Sequence, residues 1–83
     1  MNPLEKLSPR ERQILVLIRL GLSDKQIALR LHLSWRTITT YNQRIFFKLG
    51  VLNRVRAALF LEKHGRPELR KQGYDIARAH SLG

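Results

Sequence analysis

Apolar residues recur along this chain at helical spacing in four separate stretches, each opened by a capping residue. Ser8-Pro9-Arg10-Glu11 combines an N-cap serine, a proline at the first helical position and a glutamate three residues past the cap. That arrangement satisfies orphan amides and suits the positive end of the helix dipole. A first helix therefore starts at Pro9, carries Ile14, Leu15, Leu17 and Ile18 on its apolar set and ends near Leu20, with Gly21 as the left-handed stop. Ser23-Asp24-Lys25-Gln26 repeats the capping logic and opens a short second helix, with Ile27, Ala28 and Leu31 facing the core, that stops by about His32. Ser34 caps the third and longest helix, whose Ile38, Tyr41, Asn42, Ile45 and Leu49 share one side until Gly50 ends it. Asn53 caps a fourth, Arg54 to His64, closed by Gly65 and apolar nearly all round, so it needs two surfaces to bury it.

Charge adds a partner to this picture. Sixteen Lys and Arg against six Asp and Glu leave a net charge of +10, well beyond what solubility requires and suited to a polyanion. Between Asp24 and Glu62 lie 37 residues, Lys25 to Leu61, with seven basic side chains and no carboxylate. The 83 residues allow one domain with one modest core, and no cysteine is present to staple it. The longest apolar run, Ile14 to Ile18, is far too short to span a membrane, and the N-terminus lacks the plan of a signal peptide. A cytoplasmic location is expected, and several short capped helices fit a globular domain better than one membrane-surface helix. His32, His64 and His80 are scattered without cysteine or clustered carboxylates, so no metal site is expected. Neither a glycine-rich phosphate loop nor an assignable Ser, His and Asp set is present, so neither cofactor nor catalysis is expected.

The organisation is all-α: an N-terminal arm (1–6), a four-helix domain (7–65) and a short basic C-terminal tail (66–83) with few apolar anchors. Helices two and three, joined by a short turn, form a helix-turn-helix plan. The segments Leu7-Ser8-Pro9-Arg10-Glu11-Arg12, Gly21-Leu22-Ser23-Asp24-Lys25-Gln26-Ile27-Ala28, Thr37-Ile38 and Lys48-Leu49-Gly50-Val51-Leu52-Asn53-Arg54-Val55-Arg56-Ala57 resemble the LuxR/GerE family of DNA-binding domains, in order and without gaps. The resemblance implies a bacterial, sequence-specific regulator of transcription that binds double-stranded DNA. Members usually carry this module behind a receiver or ligand-sensing domain, whereas six residues precede Leu7 here, so the free-standing GerE plan is expected.

With the Ile38 face of helix three buried, the opposite side presents Arg36, Thr39, Thr40, Gln43 and Phe47, with Arg44 beside them. Gln43 can read adenine bidentately, Thr39 and Thr40 can meet a thymine methyl or a base edge, and Arg36 or Arg44 can reach guanine or phosphate. The resemblance implies base contacts at positions 39, 40 and 43. Lys25 and Thr37, at the starts of helices two and three, are phosphate candidates, because amides and the dipole favour an anion there. Tyr41, Lys48, Arg54 and Arg56 are further phosphate candidates; the family pattern alternatively pairs Arg54 with Glu11. Helix four is the usual dimer contact of the family, which makes Ala57, Phe60 and Leu61 the candidate interface of a homodimer.

Several residues depart from the family habit. Thr39 and Tyr41 stand where relatives commonly have Lys and His, so the target sequence cannot be borrowed. Val16, Leu20 and Phe47 fall on sides expected to be exposed, either as ordinary surface residues or as a surface for the tail, through Tyr74 and Ile76, or for a partner. Trp35 either braces the turn or lies against sugar-phosphate. The competing function is an adaptor or anti-activator that binds another regulator or RNA polymerase; non-specific nucleoid or RNA binding is a third reading.

Overall fold

A computed structural model of the chain describes residues 2–65. The expectations placed on the 66–83 tail, Tyr74, Ile76 and His80 included, lie outside the described residues. Four α-helices follow in order: α1 (Pro9–Arg19), α2 (Asp24–Leu31), α3 (Trp35–Leu49) and α4 (Arg54–His64). The caps expected from sequence are in place. Ser8 and Ser23 each accept from the amide three residues on, while Glu11 and Gln26 reach back to the cap amide at 2.8 Å in both cases. Ser34 and Asn53 receive the amides of Thr37 and Arg56. Helix formation is thus specified locally at all four starts.

Three of the four ends share one closure. The amides of Leu22, Leu33 and Val51 reach back to the carbonyls of Leu17, Ala28 and Phe46 across residues with positive φ, Gly21, His32 and Gly50. This six-to-one bond satisfies carbonyls that the helix leaves open. His32, at φ 57°, takes a conformation that glycine adopts more readily, and it stands in the turn between α2 and α3. Gly65 differs: it leaves α4 in an extended conformation.

The core centres on α1. Five consecutive residues, Ile14 to Ile18, are all buried. Because five residues pass through more than a full turn, α1 is enclosed on every side at that level. It packs most extensively on α4 and also meets α2 and α3. Ile27, Ile38, Ile45, Leu49, Ala57 and Leu61 supply the facing side chains.

That enclosure corrects three expectations. Val16, expected on an open side, is only 1% exposed, and Leu20 is half-buried against the core. Ala57 and Leu61 are core residues and Phe60 is half-buried, so the proposed dimer face of α4 is the face that covers α1. The N-terminal arm contributes to the fold: Pro3–Lys6 form a 3₁₀ turn that packs on α3 and buries Leu4. Asn2 Nδ2 also donates to the His64 carbonyl at 2.9 Å, joining the chain start to the end of α4. Trp35 braces nothing deeply; it stands exposed at the first position of α3.

Candidate nucleic-acid interface

The buried side of α3 carries Ile38, Asn42, Ile45 and Leu49. At about 100° per residue the opposite side is a stripe about 60° wide holding Arg36, Thr40, Gln43 and Phe47, all exposed. Arg44 is exposed on one flank, and Thr39, half-buried, lies on the other. The candidate base-reading residues therefore fall on one continuous face. Ser34 caps this helix, and its hydroxyl meets that of Thr37 at 2.8 Å, so Thr37 is part of the helix start. Lys25 is exposed on the first turn of α2, and Tyr41 is half-buried against the core.

The remaining basic candidates divide. Arg56 is exposed near the start of α4. Lys48 Nζ instead donates to Glu11 Oε1 at 2.7 Å, tying α3 to the capping box of α1. Arg54 Nη1 donates to Asp24 Oδ1 at 2.6 Å and its Nη2 to the Leu22 carbonyl at 2.6 Å. The pairing suggested for Arg54 and Glu11 is thus replaced: Glu11 takes Lys48, and Arg54 takes Asp24. Distance along the fold explains the exchange, since Arg54 at the start of α4 meets the turn before α2. Asp24 Oδ1 also accepts from Asn42 Nδ2 at 2.8 Å, so one carboxylate joins α2, α3 and α4.

Glu11 is buried, which by itself would raise its pKa. The Lys48 ammonium, the Ser8 amide and the Ser8 hydroxyl outweigh that and hold the carboxyl below its ordinary value of 4.5. The Asp24–Asn42–Arg54 junction was not anticipated from sequence. Its signal was available: Asn42 on a core face needs a buried partner, and Asp24 is the one acid between Glu11 and Glu62.

A second surface lies on α4. Val55 and Leu59, four residues apart, point away from Ala57 and Leu61 and are exposed, as is Leu52 in the preceding turn. Leu52, Leu59, Phe60 and His64 border an open depression of about 370 Å³, with the Phe60 and His64 rings 4.6 Å apart.

Residues 5–61 match the family described as bacterial regulatory proteins, luxR family. The chain belongs to that family. Similar proteins include the DNA-binding transcriptional activator DevR/DosR of Mycobacterium tuberculosis, 41% identical over 68 residues, which is 80% of this chain and 31% of that protein. The nitrate/nitrite response regulator protein homolog of Haemophilus influenzae is 42% identical over 64 residues, 76% of this chain and 31% of the relative. The response regulator protein VraR of Staphylococcus aureus is 37% identical over 60 residues, covering 72% and 29% respectively. The chain spans less than a third of the length of each of these relatives. Among its described residues no helix is long and apolar enough to cross a membrane.

Proposed function

We propose that this protein is a sequence-specific, double-stranded-DNA-binding transcriptional regulator that inserts α3 into the major groove as a homodimer. The observation that carries the reading is the outward stripe of α3. Arg36, Thr40 and Gln43 stand exposed and aligned, on a helix without a carboxylate, while Lys48 and Arg54 are committed to internal acids. A helix of this width fits the major groove, and bidentate Arg and Gln contacts there distinguish base pairs. Lys25 and Arg56 supply phosphate contacts around it, and Thr37 and Tyr41 stand near the same edge. A similar protein, DevR/DosR, is named a DNA-binding transcriptional activator, which supports the same partner here.

The dimer contact moves from Ala57 and Leu61 to the opposite face of α4, where Val55 and Leu59, with Leu52, leave apolar surface that a twofold-related copy would cover. Inverted half-sites about one helical turn apart, roughly 34–36 Å, follow from that symmetry. DNA as partner implies a cytoplasmic, nucleoid-associated protein.

Selection of bound duplexes from a random pool at two salt concentrations tests the reading. Enrichment of an inverted repeat supports it, and a Leu59→Glu variant should then lose the two-site complex while retaining weak half-site binding. Exposure of Phe47 and Trp35 favours one competing reading, an adaptor that engages another regulator or RNA polymerase. Absence of any enriched sequence would favour that alternative.

A further inference from the structure

The reading face of α3 is unusual in what it withholds. Thr39 Oγ1 donates to the Trp35 carbonyl at 3.0 Å, and Thr40 Oγ1 donates to the Arg36 carbonyl at 3.2 Å. A hydroxyl has a single proton, so with it committed to the helix backbone each threonine has a methyl group and acceptor lone pairs, but no donor, left for a partner. Four positions further along the same stripe as Gln43 stands Phe47, 87% exposed and wholly apolar. From Arg36 to Phe47 the face runs about 16 Å, the length of roughly five base-pair steps.

Each base pair presents different chemistry to such a face. Guanine shows two acceptors in the major groove and needs donors opposite it; thymine shows a methyl group, which Thr methyls and Phe rings contact; adenine suits a glutamine amide. Cytosine read by a carboxylate is excluded along α3, since no acid occurs between Lys25 and Leu61. On this helix Arg36, at one end of the stripe, matches guanine, while Arg44, outside the stripe on its flank, is placed to meet backbone phosphate.

We infer that α3 selects half-sites whose central steps are T·A pairs, with thymine methyls packed on Thr39, Thr40 and Phe47, adenine held by Gln43, and G·C confined to the Arg36 end. The inference rests on the DNA-binding reading above and specifies which duplexes satisfy it. Burying one methyl group corresponds to about a fourfold change in affinity.

The test begins with the site selected from the random pool and replaces its thymines one at a time by deoxyuridine, which removes only the C5 methyl. Affinity should fall about three- to fivefold at each central thymine and hardly at all outside the centre. Thr40→Val, which keeps a methyl, should retain the three- to fivefold penalty for deoxyuridine at the matching step. Thr40→Ser, which removes it, should lose a similar factor on the thymine site and nothing further on the deoxyuridine site at the matching step. Phe47→Ala should behave in the same way at the step it faces. Because the decisive change is made in the DNA, misfolding of a variant cannot imitate it. A selected half-site with G·C at its centre, or indifference to deoxyuridine, overturns the inference while leaving the DNA-binding reading intact. Failure to enrich any sequence overturns both.

Discussion

Lys48 and Arg54 lie in the same carboxylate-free stretch as Arg36, Arg44 and Arg56, yet they have opposite fates. The first two turn inward onto Glu11 and Asp24, whereas the other three are exposed on α3 and α4. Composition treats all five alike as a basic patch. Position decides between them, because Lys48 and Arg54 meet acids at the starts of α1 and α2, whereas among the described residues Arg36, Arg44 and Arg56 make no ion pair. Two cations therefore hold the frame that aims α3, and the others remain for a partner. The two groups should separate cleanly when mutated: one set should change stability, the other binding.

The largest effect is expected at Asp24. Asp24→Ala leaves the Arg54 guanidinium without its carboxylate and Asn42 Nδ2 without its acceptor. Breaking a half-buried pair costs less than breaking a fully buried one, and about 2–3 kcal/mol is expected. Urea unfolding should show it as a lower midpoint at unchanged slope, whereas Arg36→Ala should move the midpoint by under about 0.5 kcal/mol. Equal destabilisation by both would erase the distinction between frame and face.

Within the exposed set the comparison sharpens again. Gln43→Ala should cost about 1–3 kcal/mol on the selected site and almost nothing on random duplex. Lys25→Ala should weaken both alike and lower the salt slope by about one. Titrations on the two duplexes at several salt concentrations separate these outcomes; a Gln43→Ala loss shared by random duplex would remove this residue from the base-reading group.

What the sequence made legible follows the same division between local and global causes. Every helix start was readable because a cap is a local event: Ser8, Ser23, Ser34 and Asn53 each bond an amide three residues away. The outward face of α3 was readable from its period and the Ile38 side. Packing around α1 was not, because periodicity identifies one apolar face, and the burial of Val16 depends on where the rest of the chain comes to lie. The same limit applied to the candidate interface residues of α4. Ala57 and Leu61 are small or aliphatic enough for either role, and only the position of α1 assigns them to the core, leaving Val55 and Leu59 outside.

Glu11 and Lys48 make a pH-dependent version of the frame. Since the folded carboxyl titrates below its ordinary value of 4.5, the unfolded chain binds the proton first as pH falls. The stability contributed by Glu11 is complete above about that value and declines through the more acidic range until the folded group protonates. Lys48→Met should destabilise the domain by about 1–2 kcal/mol at neutral pH, a figure moderated by the partial exposure of Lys48. Its difference from the parent should shrink as pH falls towards 3. A difference that stays constant with pH would mean that Lys48 contributes through packing alone.

The smallest expected effect concerns the turn that sets α3 against α2. Gly21 and Gly50 occupy the left-handed positions of their helix ends, but His32 occupies the equivalent position after α2 at φ 57°. A side chain there is strained relative to glycine, while glycine gains freedom in the unfolded chain, so the two effects oppose each other. Relief of strain is the larger, and His32→Gly should stabilise the domain by about 0.5–1 kcal/mol. His32 is exposed and its ring accepts no described bond, so little packing is lost with it. The thermal midpoint should rise by a few degrees, with the affinity of α3 for its site unchanged. A fall in midpoint would mean that the imidazole itself, rather than the backbone it strains, secures the turn on which α3 is mounted.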